Sequence, residues 1–126
     1  PSASGSYSVS DKDKEKKQAE KKSDYPTITF AGYNKASISK DNPSIVLKNP
    51  EINKGIGVDF VFELKDSETG KLITRTEPIK PGKYVYVDLY KHYQSGEHTI
   101  DLKTNPYDKE GQEKNGVTSN IILDVN

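Results

Sequence analysis

The chain has 126 residues, 31% of them hydrophobic, with 19 basic and 19 acidic side chains and no Cys, Met or Trp. That apolar fraction supports one core and not two, and the zero net charge, with Arg75 the single arginine among lysines, leaves no one-signed field or bidentate phosphate reader for nucleic acid. The missing cysteines exclude disulfides, thiolate metal sites and a cysteine nucleophile, and no apolar stretch approaches the roughly 20 residues of a spanning helix.

From Pro1 to Asp24 only Ala3, Tyr7, Val9 and Ala19 could join a core. The opening is small and polar, and the stretch 11–22 alternates Lys with Asp and Glu without an apolar stripe. Residues 1–24 therefore read as a flexible, solvated linker, with transient helix at most over 15–22. The folded domain is expected over 25–126.

From Tyr25 the texture changes to short β-type runs separated by Gly, Pro, Asn and Asp. Strands are expected at 27–31, 35–39, 44–48, 57–65, 71–76, 83–89, 98–104 and 118–125. Their close spacing, with no helical pattern between them, predicts an all-β antiparallel sandwich of seven to eight strands. The period of two is clearest where Val58, Phe60, Phe62 and Leu64 share one face and Asp59, Val61, Glu63 and Lys65 the other. The same alternation turns Val85, Val87 and Leu89 inward and Tyr84, Tyr86 and Asp88 outward, and it groups Ile100 with Leu102 and Ile121 with Leu123 and Val125.

The connections carry matching turn chemistry. Gly70 closes a hairpin loop that starts at Asp66. Pro81 and Gly82 suit the two central positions of a type II turn. The segment 90–96 is expected to form a short helical turn, the only helix in the domain.

Asn49-Pro-Glu-Ile-Asn53, Phe60-Val-Phe-Glu-Leu64, the Asp66 to Gly70 loop, Ile79-Lys-Pro-Gly82, Ser95-Gly-Glu97 and Asn115-Gly116 together resemble a family of small extracellular domains of Gram-positive bacteria. Members are often lipoproteins or surface proteins of unassigned function. The likeness spans roughly 45–126 and lies in turn and strand landmarks. It implies an Ig-like β-sandwich on a polar stalk, anchored upstream of Pro1, in a cell-envelope accessory role beside secretion or conjugation systems. It carries over no catalytic or binding residue.

His92 and His98 are the only histidines, and a metal site built on them would need Asp88 or Glu97 as a further ligand. Ordinary turn and core-capping roles fit both better. The loop 105–116 is rich in oxygen ligands, but it lacks the EF-hand order, and Lys109 and Lys114 would repel calcium. Ser95, His98 and Asp101 lie close in sequence without a nucleophile elbow or an oxyanion loop. No cofactor is expected.

The residues with most promise are Tyr84, Tyr86, Tyr90 and Tyr93, with Tyr107 as an outlying fifth, because outward aromatics can form a contact surface. Cross-strand pairing within a sheet would explain the same residues without a partner. The expected function is a non-catalytic surface module that contacts another envelope protein. A carbohydrate- or calcium-binding module and a small hydrolase are the alternatives.

Overall fold

The computed structural model describes residues 27–126, so the expected linker over 1–24 lies outside the described residues. The described chain is all-β apart from two 3₁₀ turns. Its strands are β1 (Lys35–Ile38), β2 (Ser44–Lys48), β3 (Asp59–Asp66), β4 (Leu72–Arg75), β5 (Tyr84–Asp88), β6 (Gly96–Tyr107) and β7 (Val117–Val125). One sheet has five strands in the order β1-β7-β6-β3-β4, and the other pairs β2 with β5. Neighbours are antiparallel except β1 and β7, which run parallel from Lys35 opposite Ile122 to Ile38 opposite Val125.

Side-chain alternation explains why the two sheets share a core. Phe60, Phe62 and Leu64 on β3, Ile100 and Leu102 on β6, and Ile121, Leu123 and Val125 on β7 turn to one side and lose nearly all solvent contact. They meet Ile45 and Leu47 from β2, and Val85 and Val87 from β5, in a single apolar cluster. A slip of one residue in any of these strands would send its apolar set into water, so burial also fixes the register. Val61, on the opposite face of β3, is buried as well.

The turns form as their residues dictate. The amide of Gly70 donates to Asp66 O over 2.8 Å, with Gly70 at a φ of 76°. Gly82 has a φ of 84°, and Lys83 N–H closes the turn onto Lys80 O over 2.9 Å. The expected helical turn is a 3₁₀ segment at Tyr90–His92. A second one, Glu51–Gly55, was not expected.

That second turn and the residues just before it hold the most buried polar side chains among the described residues. Asn49 and Asn53 are both 0% exposed. Asn49 Nδ2 donates to Val58 O and Ile79 O, each over 2.9 Å, and Asn49 Oδ1 accepts from Asn53 Nδ2 over 2.8 Å. Asn53 Nδ2 also donates to Thr29 O over 2.8 Å, while Asn53 Oδ1 accepts from Thr29 N over 2.9 Å. All four amide hydrogens are used, which is what makes burial tolerable. The expected strand 27–31 is thereby replaced by an irregular segment: Thr29 bonds to a side chain, not to a sheet edge, and the ring of Phe30 stacks on Phe60 at 5.3 Å.

Truncating Asn49 would take the side-chain donor from Val58 O and the acceptor from one amide hydrogen of Asn53, and would leave Ile79 O with Phe60 N alone. Asn49→Ala is expected to lower unfolding stability by about 3 kcal/mol. In a domain of this size that corresponds to a fall of roughly 10 to 20 °C in melting temperature. Urea titration followed by circular dichroism measures it, and a loss below about 1 kcal/mol would contradict the role given to the network.

Candidate functional site

β5 carries the outward aromatics. Tyr84 and Tyr86 are 58% and 48% exposed, and their rings meet edge to face with centroids 5.5 Å apart. Across the pair Tyr84 opposes Lys48 and Tyr86 opposes Val46. Edge-to-face packing holds both rings upright while leaving their hydroxyls in water.

The backbone of β5 adds a second property. Asn49 N bonds Lys83 O, and Leu89 N bonds Pro43 O, each over 3.0 Å. Antiparallel bonding alternates every second residue, so the N–H and C=O groups of Tyr84, Tyr86 and Asp88 point away from β2. β2 is the only strand paired with β5 among the described residues. The open edge faces an open groove of ≈ 800 Å³ that separates it from β4 and is lined by Ile73, Arg75, Ile79, Val85, Val87 and His92. β4 itself is an outer strand, but it is four residues long and its pairing shifts register at Leu64/Lys65. Short length and irregular pairing protect an edge from foreign strands. β5 is one residue longer, pairs with β2 in one unbroken register and has no internal Lys or Pro.

The other tyrosines belong elsewhere. Tyr90 and Tyr93 are half-buried and pack against the core. The Tyr93 hydroxyl donates to Asp66 Oδ1 over 2.9 Å, and its ring lies 4.5 Å from that of His98. Tyr107 is half-buried on β6 beside Arg75. Of the expected contact set, Tyr84 and Tyr86 share an exposed face, and the remainder hold the structure together.

Asp66 organises the corner beneath Tyr93. Its Oδ2 accepts from Thr69 N at 2.8 Å and from Thr69 Oγ1 at 2.9 Å. The Thr69 amide, then the Tyr93 hydroxyl and the Thr69 hydroxyl, hold its pKa below the ordinary carboxylate value. Burial, and then the neighbouring Asp66 carboxylate, raise that of Tyr93.

The chemistry-bearing residues singled out in the sequence do not converge. His98 Nε2 lies 2.8 Å from Gln94 O, and Asp101 Oδ1 accepts from Ser67 Oγ at 2.7 Å, which separates Ser95, His98 and Asp101 into unrelated contacts. Exposed His92 lines the β4–β5 groove. Among the described residues no group of three His, Cys, Asp or Glu could hold a metal ion. In the loop 105–116, Asp108 Oδ1 accepts from Glu110 N and Gln112 N, each over 2.9 Å, and Oδ2 faces Lys114 Nζ at 3.4 Å. Its oxygens are committed to shaping the loop.

Comparison with family models, curated proteins and solved structures finds no match for the chain. Among the described residues no helix is long and apolar enough to cross a membrane.

The Asp66 contacts set a pH dependence. A carboxylate whose folded pKa lies below its unfolded value of about 3.9 adds stability that is complete above that value and is lost as pH falls through the folded pKa. An NMR titration is expected to place the Asp66 midpoint below that of a free aspartate. Tyr93→Phe removes one donor and should move the midpoint upward. An unchanged midpoint in that variant would refute the bond to Tyr93 as a cause.

Proposed function

We propose that the chain is a non-catalytic interaction module with an Ig-like β-sandwich, working at the surface of a Gram-positive bacterium, where it accepts an extended segment of another envelope protein alongside β5. The strand order supports the fold reading. β7-β6-β3-β4 corresponds to the G-F-C-C′ sheet of such domains, and β2-β5 to their B-E pair. The surface location and envelope role rest on the family resemblance of the turn and strand landmarks.

The observation that carries the interaction is the open edge of β5. Tyr84, Tyr86 and Asp88 present three successive backbone donor–acceptor sets at the rim of a groove of mixed polar and apolar lining. Tyr84 and Tyr86 stand beside them on the outer face. Strand addition uses these two components, with backbone bonds for affinity and flanking side chains for selection. Hydrolysis has less support, because the His98 ring meets Gln94 O and Asp101 is bonded by Ser67, away from Ser95.

The test is selection of peptides from a displayed library against the whole chain, followed by amide NMR with a selected peptide. The largest shifts are expected at Tyr84, Tyr86 and Asp88. Tyr84→Ala with Tyr86→Ala should weaken that peptide more than tenfold, in keeping with aromatic hot spots, while stability changes by less than about 1 kcal/mol. Shifts centred elsewhere, or a double variant that binds as the parent does, would remove β5 as the site.

A further inference from the structure

The chain is electrically neutral overall, yet its lysines are not evenly spread over the fold. The turn 80–83, the 3₁₀ segment Glu51–Gly55, the start of β3 and the loop after β6 surround one concave pocket of ≈ 570 Å³, distinct from the groove beside β5. Lys54, Lys80, Lys83 and Lys109 line it, together with Asp59 and Asp108.

The acids in and around it are already occupied. Asp59 pairs with Lys80 at 3.9 Å, Glu51 with Lys54 at 3.4 Å, and Asp108 with Lys114 at 3.4 Å while also accepting its own loop amides. Lys83 and Lys109 have no acidic partner among the described residues. Four ammonium groups and two carboxylates line the depression, an excess of two positive charges.

The walls are built and not incidental. Gly82 N–H is held by Asn49 O at 2.7 Å, and Gly57 N–H by Asn53 O at 2.8 Å, so two sides of the pocket hang directly on the buried asparagine pair. Gly57 also makes room for Lys109. A Cβ at position 57 would collide with the methylenes of Lys109, which lie across the glycine, and Gly57 has a φ of 79° that favours glycine independently. The Lys109 stem thus lies against Gly57 at the pocket wall.

We propose that this pocket binds a multiply charged oxyanion of the phosphate type. Lysine ammonium groups are compact point charges with freely rotating donors, which suits tetrahedral oxygens approached from several directions. The one arginine, Arg75, whose planar fork would pair with carboxylate and phosphate alike, is on β4, engaged with Glu63 at 2.7 Å, so this pocket acts through lysine charge alone. The ligand therefore carries at least two negative charges, matching the local excess, on a phosphate or a chain of phosphates. This site is separate from β5 and does not depend on the strand-addition reading.

Tripolyphosphate is the probe, added to the whole chain at fixed ionic strength and followed by amide NMR, with inorganic phosphate and tricarballylate as comparison anions. Saturable shifts are expected at Gly57, Gly82 and Lys109. Phosphate should act in the same place more weakly, and tricarballylate at least fivefold more weakly than tripolyphosphate. Lys83→Gln alone should weaken tripolyphosphate at least threefold, and Lys83→Gln with Lys109→Gln at least tenfold. Lys71→Gln with Lys91→Gln and the Tyr84/Tyr86 double variant should leave it unchanged. Absence of saturation, equal loss in the Lys71/Lys91 variant, or tricarballylate binding as tightly as tripolyphosphate would each overturn the proposal.

Discussion

Two buried side-chain amides hold the domain in its arrangement. Asn49 and Asn53 sit where four pieces of chain meet: the irregular segment before β1, the end of β2, the entry to β3 and the crossing near Ile79. Regular pairing covers only part of these pieces at that point, and the two side-chain amides bond the peptide groups of Thr29, Val58 and Ile79 across it. A half-satisfied polar cluster would be worse than an apolar one, whereas a complete one selects a single geometry. Apolar packing supplies the bulk of the driving force here, but it is non-directional. The amides decide which way the chain passes.

This constraint also explains how a two-stranded sheet persists. A lone pair of strands is marginal in water. β2 and β5 are stabilised on one side by the core and at one end by the junction, where Asn49 N and O bond Lys83 and Gly82. With that end clamped, β5 stays extended without a neighbour on its other side. Rigidity at the junction and openness along the edge are two aspects of one arrangement.

The local features of the fold were readable from side-chain type. Strand periodicity in β3, β6 and β7 matches the buried faces, and Gly70 and Gly82 stand in the left-handed conformations their turns require. Long-range facts were not. Nothing in 27–31 announces that Thr29 will bond to a side chain 24 residues away, since Thr-Ile-Thr-Phe has the composition of a strand. The 3₁₀ turn at Glu51–Gly55 was hidden because Asn and Pro read as loop formers, and whether an asparagine ends buried depends on carbonyls far along the chain. Tyr84 and Tyr86 were correctly placed outward by alternation. Alternation cannot separate them from Tyr90, which packs against the core, or from Tyr93, which is held in the corner made by Asp66 and His98. The open edge of β5 required the sheet order, and the lysine pocket required the turn 80–83 and the β6–β7 loop to meet.

The parallel pairing of β1 with β7 has a mechanical meaning. The chain enters β1 at Lys35 and leaves β7 at Val125, at opposite ends of one short ladder, with Ile122 N bonded to Asn34 O and Asn126 N to Ile38 O. Tension applied through the segments before β1 and after β7 therefore pulls the two strands along their lengths in opposing directions. The ladder bonds share that load together and do not open one after another, as they would if a hairpin were peeled from its end. Resistance to pulling is set by the rate of rupture and not by equilibrium stability, so this domain can be only marginally stable in a test tube and still hold when stretched.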